Sequence, residues 1–158
     1  MRTRTISCHR PCSAWVCSIA LFGIALVGPP ARAADAESLL GPWTIQDGRG
    51  VVAIEQCGEA LCGRIVGVDR APGEPMPTDV HGASECGLTI ITNERPIGHG
   101  DWLGEVTDPR TGKSYRAKLG LDRLGNLQLR GFVAAPLFGR TQTWRRYAGL
   151  ITPDCGLE

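Results

Sequence analysis

The stretch from Asp108 to Arg146 constrains the chain most. Its apolar residues recur at every second position, and helical spacing fits none of it. Tyr115, Ala117, Leu119 and Leu121 share one face of a strand, while Ser114, Arg116, Lys118 and Gly120 share the other. Leu127, Leu129, Gly131 and Val133 alternate with Gln128, Arg130 and Phe132 in a second strand. In a third, Gln142, Trp144 and Arg146 oppose Thr141, Thr143, Arg145 and Tyr147. Turn chemistry separates the strands. Pro109 presets the φ of a turn and Gly112 takes left-handed backbone in the Asp108–Lys113 loop, Asp122–Asn126 forms a second turn, and Ala134–Gly139 is a looser connection.

Upstream, Gly41–Ile45, Val51–Gln56, Leu61–Val68, Cys86–Thr92 and Trp102–Asp108 also read as strands. Ala34–Leu40 is a short leader with room for one helical turn, and Asn93–Asp101 reads as a loop because it holds Pro96, Gly98 and Gly100. About eight strands with mostly short loops predict an all-β fold, a small antiparallel up-and-down β-barrel whose closure leaves no edge strand. Gly63, Gly87, Gly104, Gly120 and Gly131 supply the bends such a barrel needs. Residues 69–85 form a long loop with three prolines and no apolar period, a binding loop or an unstructured insertion.

The first 33 residues do not belong to that domain. Arg2, Arg4 and Arg10 precede an apolar run at Ala14–Val27, Pro29-Pro30 breaks it, and Ala31-Arg32-Ala33 is a small-x-small cleavage site. This is the pattern of a signal peptide cut after Ala33, leaving residues 34–158 as one domain exported to the periplasm. The run is short for a membrane span, which needs ~20 residues, so no stable membrane insertion is expected.

Four of the 17 basic residues precede residue 34 and all 16 acidic ones follow it, so the exported part carries a net charge of −3 with His neutral. No basic field suited to nucleic acid remains, and no polybasic membrane patch.

Four of the seven cysteines also remain: Cys57, Cys62, Cys86 and Cys155. An even count in an exported domain points to two disulfides, and four cysteines allow three pairings. Cys57-Gly58-Glu59-Ala60-Leu61-Cys62 resembles a hairpin tip with its cysteines facing across the base, which makes Cys57–Cys62 the best local pair and leaves Cys86–Cys155. A zinc site and a redox-active pair are the rival readings, but no paired C-x-x-C is present, and C-x4-C on a hairpin is not the redox motif.

Gly41-Pro42-Trp43 on the first strand, with Arg145 or Arg146 on the last, resembles the G-x-W…R signature of lipocalin and calycin barrels. There a first-strand Trp packs under a last-strand Arg. The wider chain resembles the bacterial secreted domain-of-unknown-function family 2147. The resemblance rests on Cys57-Gly58-x-x-Leu61-Cys62-Gly63-Arg64-Ile65-Val66, Asp79, Cys86-Gly87-Leu88, Gly104, Asp108-Pro109 and Gly112-Lys113-x-Tyr115. It continues through Leu127-x-Leu129-Arg130-Gly131-Phe132 and Leu137-x-Gly139-Arg140-Thr141-Gln142-x-Trp144. It implies an exported, lipocalin-like barrel and brings no activity with it.

No catalytic set stands out: there is no G-x-S-x-G, no nucleophile with an evident base, no metal-spaced histidine pair and no cofactor motif. Glu105 and Asp108 would be an acid/base pair for a hydrolase only if they met in one cleft. Binding is the better expectation. An eight-stranded barrel either fills its interior or holds one small ligand. Arg64, Arg130 and Arg140, with Gln142, would suit a carboxylate or phosphate, and Trp43, Trp102, Tyr115 and Trp144 would line an apolar part. The expected function is a non-catalytic module for a small amphipathic or anionic ligand. A filled barrel that contacts an envelope protein is the alternative.

Overall fold

A computed structural model describes residues 36–71 and 73–158, and eight antiparallel strands close into one up-and-down barrel in chain order. They are β1 (Gly41–Thr44), β2 (Gly50–Cys57), β3 (Ala60–Val68), β4 (Thr89–Gly98), β5 (Asp101–Thr107), β6 (Ser114–Leu121), β7 (Leu127–Phe132) and β8 (Arg140–Arg146). The barrel closes where β8 pairs with β1, Trp43 opposite Arg146 and Thr44 opposite Arg145. The expected signal peptide lies outside the described residues. One helical turn, residues 36–39, precedes β1.

Alternation sets the core. Val52, Ile54, Leu61, Ile65, Ile91, Ala117, Leu119, Leu127 and Leu129 are buried with Trp43, Trp102 and Trp144 in one cluster. The cross-strand partners keep these faces in phase, as with Trp43 opposite Val52, Trp102 opposite Leu119, and Leu127 opposite Trp144.

Two strand boundaries differ from expectation. β4 starts at Thr89 and runs on to Gly98, whereas residues 86–87 are turn and Gly87 has a φ of 82°. Pro96 is tolerated because the last β3 partner of β4 is Glu94, opposite Leu61, so residues 95–98 pair with β5 alone. β7 stops at Phe132, and Val133 is exposed.

Four loops ring one end of the barrel: 45–49, 69–88, 108–113 and 133–139. The 69–88 loop is ordered where it meets this rim. Thr78 bridges Ser84, the Asp79 carboxylate accepts the N–H groups of His81 and Ala83, and Val80 donates to the carbonyl of Pro109 at 2.8 Å.

Both disulfides pair as expected, Cys57 with Cys62 and Cys86 with Cys155, each with its Cα atoms 5.9 Å apart. The second ties the C-terminal tail to the β3–β4 loop. Val68 also donates to the Cys155 carbonyl at 2.8 Å, and Arg70 pairs with Asp154. By loop entropy the 69-residue separation contributes about 4 kcal/mol and the 5-residue one about 2. Urea unfolding of Cys86→Ser/Cys155→Ser should therefore show a larger loss of stability than Cys57→Ser/Cys62→Ser. Equal losses would contradict this.

Candidate functional site: a barrel closed at one end and open at the other

The closed end is built around Trp43, which is fully buried. The Arg146 guanidinium carbon lies 3.9 Å from the centroid of its ring, a cation–π contact. Arg146 also donates to the backbone carbonyls of Leu40 and Ser38, and the Trp43 indole N–H donates to the Leu39 carbonyl at 2.8 Å. The helical turn is thereby drawn across the barrel end, with Leu39 buried beneath it. Losing the ring contact and two carbonyl partners should cost Arg146→Ala about 3 kcal/mol in chemical unfolding, with little recovery in Arg146→Lys.

Packing near this end is tight. A Cβ on Gly63 would stand 2.9 Å from Ile91 and 3.1 Å from Ile54, so only glycine fits. Glu94 is the exception to the apolar filling. It is the one buried charged residue among the described ones, and neither carboxylate oxygen has a hydrogen-bond partner. Burial pushes its pKa up to about 8. Asn93, with φ of 58°, breaks the alternation of β4 and turns Glu94 to the face of its partner Leu61.

Between the unfolded pKa near 4.5 and the folded one near 8, the folded protein holds the extra proton. Stability therefore falls as pH rises through that window and levels above it. Glu94→Gln should flatten this slope in denaturant titrations at pH 5, 7 and 9 (about the range that brackets both values). An unchanged slope would contradict a buried, unpartnered carboxyl.

The other end is open. A cavity of about 760 Å³ runs inward from the four-loop rim. Its walls are Val52, Ile65, Ile90, Val106 and Leu129, and Trp144 lies at its inner end, 2% exposed. Tyr115, Gly131, Arg140 and Gln142 also line it. Here glycine marks space, because a Cβ on Gly131 would meet only Val106 and Tyr115, at 3.7 and 3.9 Å.

Arg140 and Gln142 face inward because they pair with Gly131 and Leu129 on the inner face of β7. The Trp144 indole N–H donates to Gln142 Oε1 at 2.8 Å, so Gln142 offers the cavity its amide N–H groups. Three arginines line the cavity. Arg49 pairs with Asp47 at 3.4 Å and Arg110 with Asp108 at 3.8 Å, whereas Arg140 has no ion-pair partner among the described residues.

Of the eight residues singled out from sequence, the structure brings Tyr115, Arg140, Gln142 and Trp144 together on the cavity. Trp43 and Trp102 are buried in the core and do not line it. Arg64 and Arg130 also lie off the cavity: Arg64 pairs with Glu55 at 2.6 Å, and Arg130 donates to the Pro136 carbonyl and Thr141. Arg64, Arg130 and Arg140 thus do not converge on one group, because Arg64 and Arg130 alternate with inward apolar residues. The apolar walls of the cavity were not anticipated as site residues, and neither was the buried Glu94 of the closed end. Glu105 is exposed beside its cross-strand partner Arg116, while Asp108 caps the rim loop. Among the described residues, no group of three or more His, Cys, Asp or Glu side chains could hold a metal ion. No described helix is long and apolar enough to cross a membrane.

An eight-stranded antiparallel barrel with an internal cavity and an Arg-over-Trp closure is a lipocalin-like barrel. One solved structure bears this out at the level of fold: protein HP1028 from the human pathogen Helicobacter pylori, which is described as belonging to the lipocalin family. It aligns with a TM-score of 0.60 at 16% identity, over 70% of this chain and 83% of that one. Residues 41–146 match the family described as uncharacterized protein conserved in bacteria (DUF2147), and the chain belongs to that family. The search of curated proteins gave no match.

Proposed function

We propose that the protein is an exported, non-catalytic binding module for a small amphipathic ligand with an anionic head. The observation that carries this reading is the cavity of about 760 Å³, apolar in its walls and holding one unpaired cation, Arg140. That volume is within the range of ligand pockets, ~300–1,000 Å³. The apolar part of the ligand packs between Val106, Leu129 and Trp144. Arg140 and the Gln142 amide then donate to its carboxylate or phosphate near the mouth. Tyr115 completes the wall. Trp43 and Trp102 support the site from the closed end, and Arg64 and Arg130 hold the outer surface. Two disulfides fit residence in an oxidising compartment, which supports export to the periplasm. A filled barrel acting only through an envelope partner is less well supported, since the interior holds a cavity of about 760 Å³.

Native mass spectrometry of protein taken from its own compartment tests the reading. The expected result is an extra mass that disappears on denaturation. Once that ligand is known, Arg140→Ala should weaken its binding about tenfold or more, the worth of a charge-assisted hydrogen bond. A bare protein mass, or full affinity in Arg140→Ala, would overturn it.

A further inference from the structure

The 133–139 loop exposes its apolar side chains by construction. Val133 is 78% exposed, and Leu137 and Phe138 are 81% exposed each. Residues Pro136–Phe138 form a 3₁₀ turn that buries none of its side chains. The turn is not loose. Arg130 donates to the carbonyls of Pro136 and Leu137 at 2.6 and 3.3 Å and to Thr141 at 2.7 Å. Phe138 and Gly139 close it with backbone bonds to Ala135 and Pro136. A Cβ on Gly139 would stand 2.6 Å from the Gly131 carbonyl, so the chain lies close on β7, with Val133 and Phe138 at the mouth of the cavity and largely exposed. Ile97, Leu121, Leu124 and Leu150 are also exposed, outside this loop, and Val80 is 52% exposed on the 69–88 loop across the mouth. Isolated apolar residues need no explanation, whereas a clustered apolar tip does.

Charge around the rim is divided. From Val133 to Arg140 the chain has no acidic residue, and Arg116 and Arg130 extend from the neighbouring β6 and β7. On the two flanking loops each acid is paired, Asp47 with Arg49 and Asp108 with Arg110. Asp69, Glu74, Asp79 and Glu85 all sit on the 69–88 loop, which the strand order places diametrically across the mouth. One side of the rim is thus apolar and cationic, and the far side acidic, although the net charge of the exported part is negative.

We infer that the 133–139 loop is a membrane-docking element. It inserts Leu137 and Phe138 into the interface of an anionic phospholipid bilayer, with the exposed Arg116 toward the headgroups. An apolar tip with an exposed arginine on the neighbouring strand suits the boundary between acyl chains and anionic headgroups. The acidic loop opposite is repelled, so the barrel would tilt with one lip of its mouth against the lipid. The inference rests on this loop and not on the ligand reading. Protein that docks yet carries no bound mass would keep the first and lose the second.

Vesicle flotation of the mature chain tests it, using phosphatidylglycerol-containing vesicles against pure phosphatidylcholine vesicles. Binding should favour the anionic vesicles and weaken with salt. Leu137→Ser/Phe138→Ser should lower the apparent vesicle affinity about tenfold or more. Its thermal unfolding should be unchanged, because both side chains are exposed. No flotation of the wild type, equal binding to both vesicle types, or unimpaired binding by the double variant would each overturn the inference. So would sedimentation showing a wild-type dimer that the double variant dissolves while vesicles are ignored, since the loop would then join two copies of this chain.

Discussion

Everything in this barrel depends on how one end is shut. Arg146 lies flat on the Trp43 ring and binds two carbonyls of the turn before β1, joining the last strand, the first strand and the N-terminal segment in one contact. An eight-stranded barrel has little interior, and apolar side chains can fill all of it. Here the closed end takes the bulky residues, with Gly63 making room for Ile54 and Ile91. The opposite end is left with Gly131, Val106 and Tyr115 around empty space. The packed core and the open cavity thereby occupy different ends of one barrel.

This division explains the different demands on the polar residues. Arg140 and Gln142 face the open half, where a ligand or water can satisfy them. Glu94, turned into the filled half, has no partner and is kept neutral by burial up to about pH 8. It is a cost to the fold near and above neutral pH and has no part in the proposed binding.

Much of the fold was legible in the sequence, because a period of two reports a half-buried strand directly. The pattern also held the orientation of Arg64 and Arg130: each alternates with apolar neighbours, Gly63 and Ile65 or Leu129 and Gly131, that face inward. Arg140 and Gln142 share a face with Trp144, and that is why they reach the cavity. What alternation cannot show is a change of phase. The left-handed Asn93 resets β4, so Glu94 lands inside where simple counting places it outside. Nor can alternation show how far down a barrel the filling extends. That depends on contacts such as Gly63 with Ile91, which join residues far apart in the chain.

The central claim is that the open half is a binding cavity. It is tested most directly by titrating residues 34–158 with 8-anilinonaphthalene-1-sulfonate, an apolar ring system bearing an anion, beside the variant Gly131→Leu. A Cβ at Gly131 meets no close contact, so the larger side chain grows into the cavity without forcing the backbone. The account predicts saturable binding at one probe per chain in the wild type and its loss in the variant, with the fold intact by circular dichroism. Equal binding by both proteins, or none by the wild type, would contradict it.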